Sequence, residues 1–174
     1  SVVAIDTFGS VLAKTRLPGV ARLDPDHTVD RIAAAVDALI TTTGLARDRF
    51  VGLGVAAPGV HNRASGVIRE SRSLPQWIGL DIRDMIAQRT GFATILENDA
   101  TTAAVGDFWG GGLPGARAHC TVQMGTSIGA GFLIDGAPYR GASGNTGPLG
   151  FLSVRDGKTL EELAAPPAVA QHAR

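Results

Sequence analysis

Glu97-Asn98-Asp99-Ala100-Thr101-Thr102-Ala103-Ala104-Val105-Gly106-Asp107 is the stretch on which the fold turns. An apolar run, residues 93–96, leads into it and reads as a buried strand. A run of small residues, 100–108, leaves it and reads as a helix able to pack tightly. In open α/β sheets, ligands sit beyond the carboxyl ends of strands. A carboxylate at such an end, Asp99, is placed to accept a proton from a substrate hydroxyl. The amide of Asn98 beside it can both donate to and accept from a polyol. A second reading stays open: Asp99 caps the helix that begins at Ala100. The two roles are compatible.

Toward the amino terminus, residues 1–5 are β-rich, Asp6-Thr7-Phe8-Gly9 reads as a turn, and residues 11–17 run to Pro18, so a β-hairpin is expected. Thr28 is the expected cap of a helix whose apolar positions, Val29, Ile32, Ala33, Val36, Leu39 and Ile40, recur at three and four, with Gly44 ending it. Residues 51–57 (VGLGVAA) look like a strand buried on both faces, closed by the tight turn Pro58-Gly59. A short strand at Val67-Ile68 and a helix over 81–90, stopped by Gly91, complete this part.

Toward the carboxyl terminus, Gly110 to Gly115 reads as a break. Strands follow at 118–124 and 130–134, joined by the turn Gly125-Thr126-Ser127-Ile128-Gly129. Such a turn offers backbone N–H groups and hydroxyls to a phosphate, although it is not a Walker A loop, and a plain Gly-rich hairpin is the competing reading. Asp135-Gly136 makes a second hairpin turn, with a short strand near 138–140. Residues 141–150 form a Gly-rich loop of the functional kind. Residues 160–173 read as helical, interrupted by Pro166-Pro167. The pattern is an α/β lobe, residues 1–112, followed by part of a second, residues 113–174.

Composition narrows the function classes. In 174 residues, 16 Lys+Arg balance 16 Asp+Glu, so this stretch carries no basic surface for nucleic acid. Hydrophobic residues at 44% and charged residues at 18% describe a chain able to bury a core. Apolar runs are broken well short of a bilayer span, so no membrane segment is expected. No basic-then-apolar leader opens the sequence, and the cytoplasm is the expected location. The single cysteine, Cys120, precludes an internal disulfide and a multi-cysteine zinc site. His27, His61, His119 and His172 lack metal-ligand spacing and are taken as non-catalytic, and Trp77 and Trp109 as packing residues.

The order of the motifs is more informative than any one of them. APG at 57–59, SLPQW at 73–77, ENDATTAAVGD at 97–107, GTSIGAG at 125–131 and DGAPYRGASGNTGPLGF at 135–151 together resemble the ROK family of repressors and sugar kinases. The resemblance implies an actin-like, ribonuclease-H-like ATPase fold, here its first lobe plus part of the second, with a sugar held between lobes. It makes Asp99 the base toward the sugar hydroxyl, Asn98, Gly59 and Glu161 sugar contacts, and Gly125, Thr126 and Gly129 residues facing the ATP phosphates. Phosphoryl transfer is mostly positioning and charge stabilisation, and one oriented carboxylate suits it.

Departures from the family pattern bear on the activity. Where the kinases carry Glu-x-Gly-His, this chain has Pro148-Leu149-Gly150-Phe151, which removes two polar side chains. Ser73 stands for the usual Asn, and no Cys cluster precedes Glu161, so no zinc is expected. Asp6-Thr7-Phe8-Gly9-Ser10 is not a convincing first phosphate loop, and the family's carboxy-terminal portion, which completes the nucleotide site, is not in this sequence. The expectation is therefore the sugar-effector-sensing domain of a ROK-type regulator with eroded kinase motifs. It would bind a sugar or sugar phosphate, form a homodimer, and meet DNA only through a helix-turn-helix outside these residues. The alternative is a truncated or divergent sugar kinase using Mg-ATP. A structural or dimerisation remnant is the third.

Overall fold

The computed structural model describes residues 1–19, 23–111, 115–125, 127–142, 144 and 146–172. In chain order the elements are β1 (Val2–Ile5), β2 (Val11–Thr15), α1 (Pro25–Thr43), β3 (Leu53–Ala57), β4 (Val60–His61), β5 (Ile68–Glu70), α2 (Ile82–Thr90), β6 (Thr94–Asn98) and α3 (Asp99–Trp109). Then come β7 (Ala118–Met124), β8 (Ile128–Ile134), β9 (Ala137–Pro138), β10 (Ser153–Arg155), β11 (Lys158–Thr159), α4 (Leu160–Ala164) and α5 (Pro166–His172). The chain divides into two compact units, residues 1–55 with 62–96, and residues 56–61 with 97–174. Within the second unit α3 lies on β7 and β8.

In the first unit, β1 and β2 pair antiparallel, Val2 opposite Thr15 and Ile5 opposite Val11, as the hairpin reading expects. The Asp6 carboxylate closes the turn by accepting the Ser10 N–H at 2.8 Å and the Phe8 N–H at 2.9 Å, which holds its pKa below the ordinary value. Helix α1 starts one turn before the expected cap. Asp24 is the N-cap and accepts from the His27 N–H, with Pro25 at the first helical position, where its fixed φ suits a helix start. Thr28 sits inside that turn, and its hydroxyl donates to the Asp24 carbonyl. Gly44, at φ 67°, ends the helix.

Helix α1 covers the β1–β2 hairpin and packs on α2. The core is Val29, Ile68, Leu74, Trp77, Ile82 and Ile86, with Ile32, Leu53, Val55, Leu80, Met85 and Leu96 around it. Asp81 caps α2 and Gly91 stops it. β3 departs from expectation: it alternates half-buried and exposed residues until buried Ala57, the signature of one covered face rather than two.

In the second unit, β7, β8 and β9 form an antiparallel meander. Asp135 and Gly136 turn from β8 to β9 with positive φ at both positions, 49° and 78°, the geometry that matches strand twist in a two-residue hairpin. The small residues of α3 allow very close contact with β8. Ala100 and Ala104 are buried, and a Cβ added at Gly131 would lie 2.6 Å from Ala104 Cβ and 2.8 Å from Thr101 Cα. Trp109 is an exposed partner of Phe108 rather than a core residue, with ring centroids 5.4 Å apart. Thr159 and Glu162 cap α4 reciprocally, and Ala165 separates α4 from α5 at Pro166, as the proline pair requires. Among the described residues no helix is long and apolar enough to cross a membrane.

Candidate functional site

The motif residues 97–99 straddle a strand end and a helix start: Glu97 and Asn98 finish β6, and Asp99 opens α3. The cap is Asn98 rather than Asp99. Asn98 Oδ1 accepts the N–H groups of Ala100 at 2.9 Å and Thr101 at 3.1 Å. A short amide acceptor at this position satisfies two backbone donors that the helix cannot. The other end of the same side chain, Nδ2, donates to the Gly59 carbonyl at 3.1 Å. Gly59 has φ 119°, a backbone conformation that excludes ordinary L side chains, so the turn after β3 needs glycine to present that carbonyl.

Asp99 is half-buried in the first turn of α3, where the helix dipole favours a carboxylate. Its Oδ1 accepts the Ala100 N–H at 3.0 Å, and among the described residues its Oδ2 accepts nothing. That oxygen has capacity for a further donor.

Two residues that the sequence did not assign converge here. Arg140, from the segment after β9, donates from Nε at 3.0 Å and Nη2 at 2.6 Å to Glu97 Oε2. Glu97 Oε1 accepts the Asn98 N–H at 3.0 Å. His61 ends β4, two residues past Gly59, and is 5% exposed. Burial lowers its pKa below the ordinary value, and the carboxylates of Glu97 and Asp99 and a backbone hydrogen bond at Pro58 act in the opposite direction. His61 carries no sequence signal, since a lone histidine is usually packing; Arg140 stands in the quoted stretch 135–151, but nothing there names Glu97 as its partner.

The other predicted residues fall elsewhere in this unit. Glu161, in the first turn of α4, accepts the Ile128 N–H at 3.2 Å, and its Oε2 would lie 2.6 Å from a Cβ at Gly150. It thereby ties the start of β8 to α4, close beside Gly150. Gly125 forms the turn before β8, and its N–H donates to the Ser127 carbonyl at 2.9 Å. Gly129 belongs to β8, opposite Gln123, and not to the turn, because the β7–β8 ladder runs two residues further than the apolar pattern suggests. Thr126 lies outside the described residues. Pro148 and Phe151 are exposed. Among the described residues no three His, Cys, Asp or Glu side chains are grouped to hold a metal ion.

The α/β elements and their order define an actin-like ATPase fold. The chain belongs to the ROK family, whose model matches residues 1–165. It is 26% identical over 150 residues to a glucokinase of Halalkalibacterium halodurans, covering 86% of this chain and 45% of that protein. It is 31% identical over 105 residues to a putative xylose repressor of Caldicellulosiruptor sp., covering 60% of this chain and 26% of that protein. A ROK hexokinase from Thermus thermophilus has a TM-score of 0.75 and 29% identity over 94% of this chain and 56% of its own. This chain thus spans less than half the length of either curated relative.

Proposed function

We propose that this chain is the sugar-sensing part of a ROK-type transcriptional regulator, binding a sugar or sugar phosphate without transferring phosphate. The turn between β7 and β8 carries this reading. The Gly125 N–H is already donated to the Ser127 carbonyl, and Gly129 is inside the strand. Two of the positions expected to face a nucleotide phosphate are therefore engaged within the hairpin itself, which supports a reading without phosphate transfer. Pro148 and Phe151 add to the case, since neither side chain can hydrogen-bond where the family's kinases carry Glu and His.

The binding end remains well furnished. Asp99 Oδ2 and the second Asn98 N–H would meet sugar hydroxyls, beside the Gly59 turn. Glu161 would have to release the Ile128 N–H to join them. A homodimer and a cytoplasmic location accompany this reading, and contact with DNA would belong to a separate helix-turn-helix.

Two observations favour the second reading, a sugar kinase using Mg-ATP. The uncommitted Asp99 oxygen is what a base toward a sugar hydroxyl needs, and the 29% identity to a hexokinase points the same way. Calorimetry with hexoses, amino sugars and their phosphates, paired with an ATP-turnover assay over the same panel, separates the readings. Binding without turnover above the Asp99→Asn background is expected. Turnover abolished by Asp99→Asn would replace the sensor by a kinase, and binding to no sugar would leave a structural or dimerisation role.

A further inference from the structure

Among the described residues, a side-chain contact of Arg140 with Glu97 attaches the Gly-rich segment after β9 to the motif strand. Both guanidinium bonds go to a single carboxylate oxygen, and Nη1 adds a third to the Pro138 carbonyl at 3.2 Å. The pair is largely withdrawn from water, with the two side chains 24% and 22% exposed. The other six ion pairs among the described residues each have a side chain exposed by 32% or more. The second Glu97 oxygen holds the Asn98 N–H. A chain of bonds therefore runs from the Pro138 carbonyl through Arg140 and Glu97 to Asn98, and through the Asn98 amide to α3 and the Gly59 carbonyl.

Beyond Arg140 the same segment is fixed twice more. The Thr146 hydroxyl donates to the Tyr139 carbonyl at 2.6 Å, and the Ala130 N–H donates to the Gly147 carbonyl at 2.7 Å. Gly147 has no room for a side chain, since an added Cβ would collide with the Ala130 carbonyl. Thr146 thus reaches back to Tyr139, and Gly147 is pinned to β8. The near end of the segment is pinned by Arg140.

We propose that Arg140 and Glu97 are a positioning pair that sets residues 139–142 against the strand end bearing Asn98 and Asp99, so that ligand affinity there depends on the pair. This rests on the proposed sugar-binding reading for the ligand and on geometry alone for the coupling. A partly desolvated arginine that aims two donors at one carboxylate oxygen suits the role, because its planar guanidinium fixes orientation as well as distance. Lysine would keep the charge and lose that geometry.

The test uses the intact chain and its Arg140→Met, Arg140→Lys and Glu97→Gln variants. Ligand-free amide exchange is read at Asn98, Thr101 and Ala130, and calorimetry measures binding of the tightest sugar from the panel. Arg140→Met is expected to speed exchange at Asn98 and Ala130 and to weaken sugar binding about tenfold, the effect of one modest interaction. Arg140→Lys should recover part of the affinity. Rescue without a matching rise in melting temperature would separate positioning from general stability. Unchanged exchange at Asn98 and Ala130 in both Arg140→Met and Glu97→Gln would overturn the pair. If the wild type binds no sugar while exchange responds as expected, the sugar reading fails and the positioning pair stands.

Discussion

The two compact units are held together by different physics. The first is built around branched and aromatic side chains: Val29, Ile68, Ile82 and Ile86 are fully buried, beside Trp77. The second buries Leu133 and Ile128 together with the small residues Ala100, Ala104, Ala130 and Ala165, with glycines at its closest backbone approaches and polar bonds from Asn98, Glu97 and Glu161 linking its segments. Large side chains gain stability mostly from area removed from water and tolerate small shifts of their neighbours. Backbone-to-backbone contact over glycine gives little area but fixes atoms closely. The candidate ligand residues all belong to the second kind of construction, which suits a site that must hold polar groups in place.

The sharpest way to break this contrast is a pair of substitutions. Ile86→Ala should cost about 3 kcal/mol through the cavity it leaves. Gly131→Ala should cost about 2 kcal/mol by the opposite route, overpacking against α3. Segment-resolved hydrogen exchange should show protection lost in α1 and α2 for the first variant and in β7, β8 and α3 for the second. Equal loss in both units from either variant would dissolve the distinction.

Asn98 tests the polar links. Asn98→Ala removes the cap of α3 and the bond to Gly59, and a loss of about 1–2 kcal/mol is expected in thermal melts. Asn98→Asp keeps the acceptor and removes the donor, so its loss should be smaller unless repulsion from Glu97 and Asp99 dominates. Comparing the two melts at 0.1 M and 0.5 M salt reads that repulsion directly, because screening relieves it only in the Asp variant.

The smallest expected effect is a pH dependence at His61. Its folded pKa lies below the ordinary 6.5 because burial disfavours the charged ring. As pH falls below that ordinary value, the unfolded chain takes the proton first, so His61 weakens the fold progressively until its folded pKa is passed. The groups facing it, Glu97 and Asp99, limit the shift. His61→Gln should flatten the loss of protection between about pH 6.5 and 5 in the second unit, with the first unit unchanged. An identical pH profile for wild type and variant would remove His61 from this account.

Much of the local structure was legible beforehand. The hairpin at 2–15, the stop signals at Gly44 and Gly91, the small-residue helix after Asp99, the Asp135-Gly136 turn and the break before Pro166 follow from backbone rules that act within a few residues. Readings that depended on which of several equivalent residues would act were less secure. Thr28 and Asp24 are both good caps, and the proline after Asp24 decided between them. Asn98 and Asp99 compete in the same way, and the strand's extension through Asn98 gave it the cap. Gly129 moved from turn to strand because pairing with β7 outweighed glycine's low strand preference.

Periodicity, caps and the ordered motifs determined by themselves the α/β class, the resemblance to one family, and the placing of Asp99 at the junction of a strand and a helix. Tertiary structure alone decided the company that Asp99 keeps. Arg140 lies 43 residues beyond Glu97 in sequence, and Gly59 lies 39 before Asn98. No local rule selects such partners, since long-range contacts depend on chain closure and packing, which the spacing of residues along one strand or helix does not record.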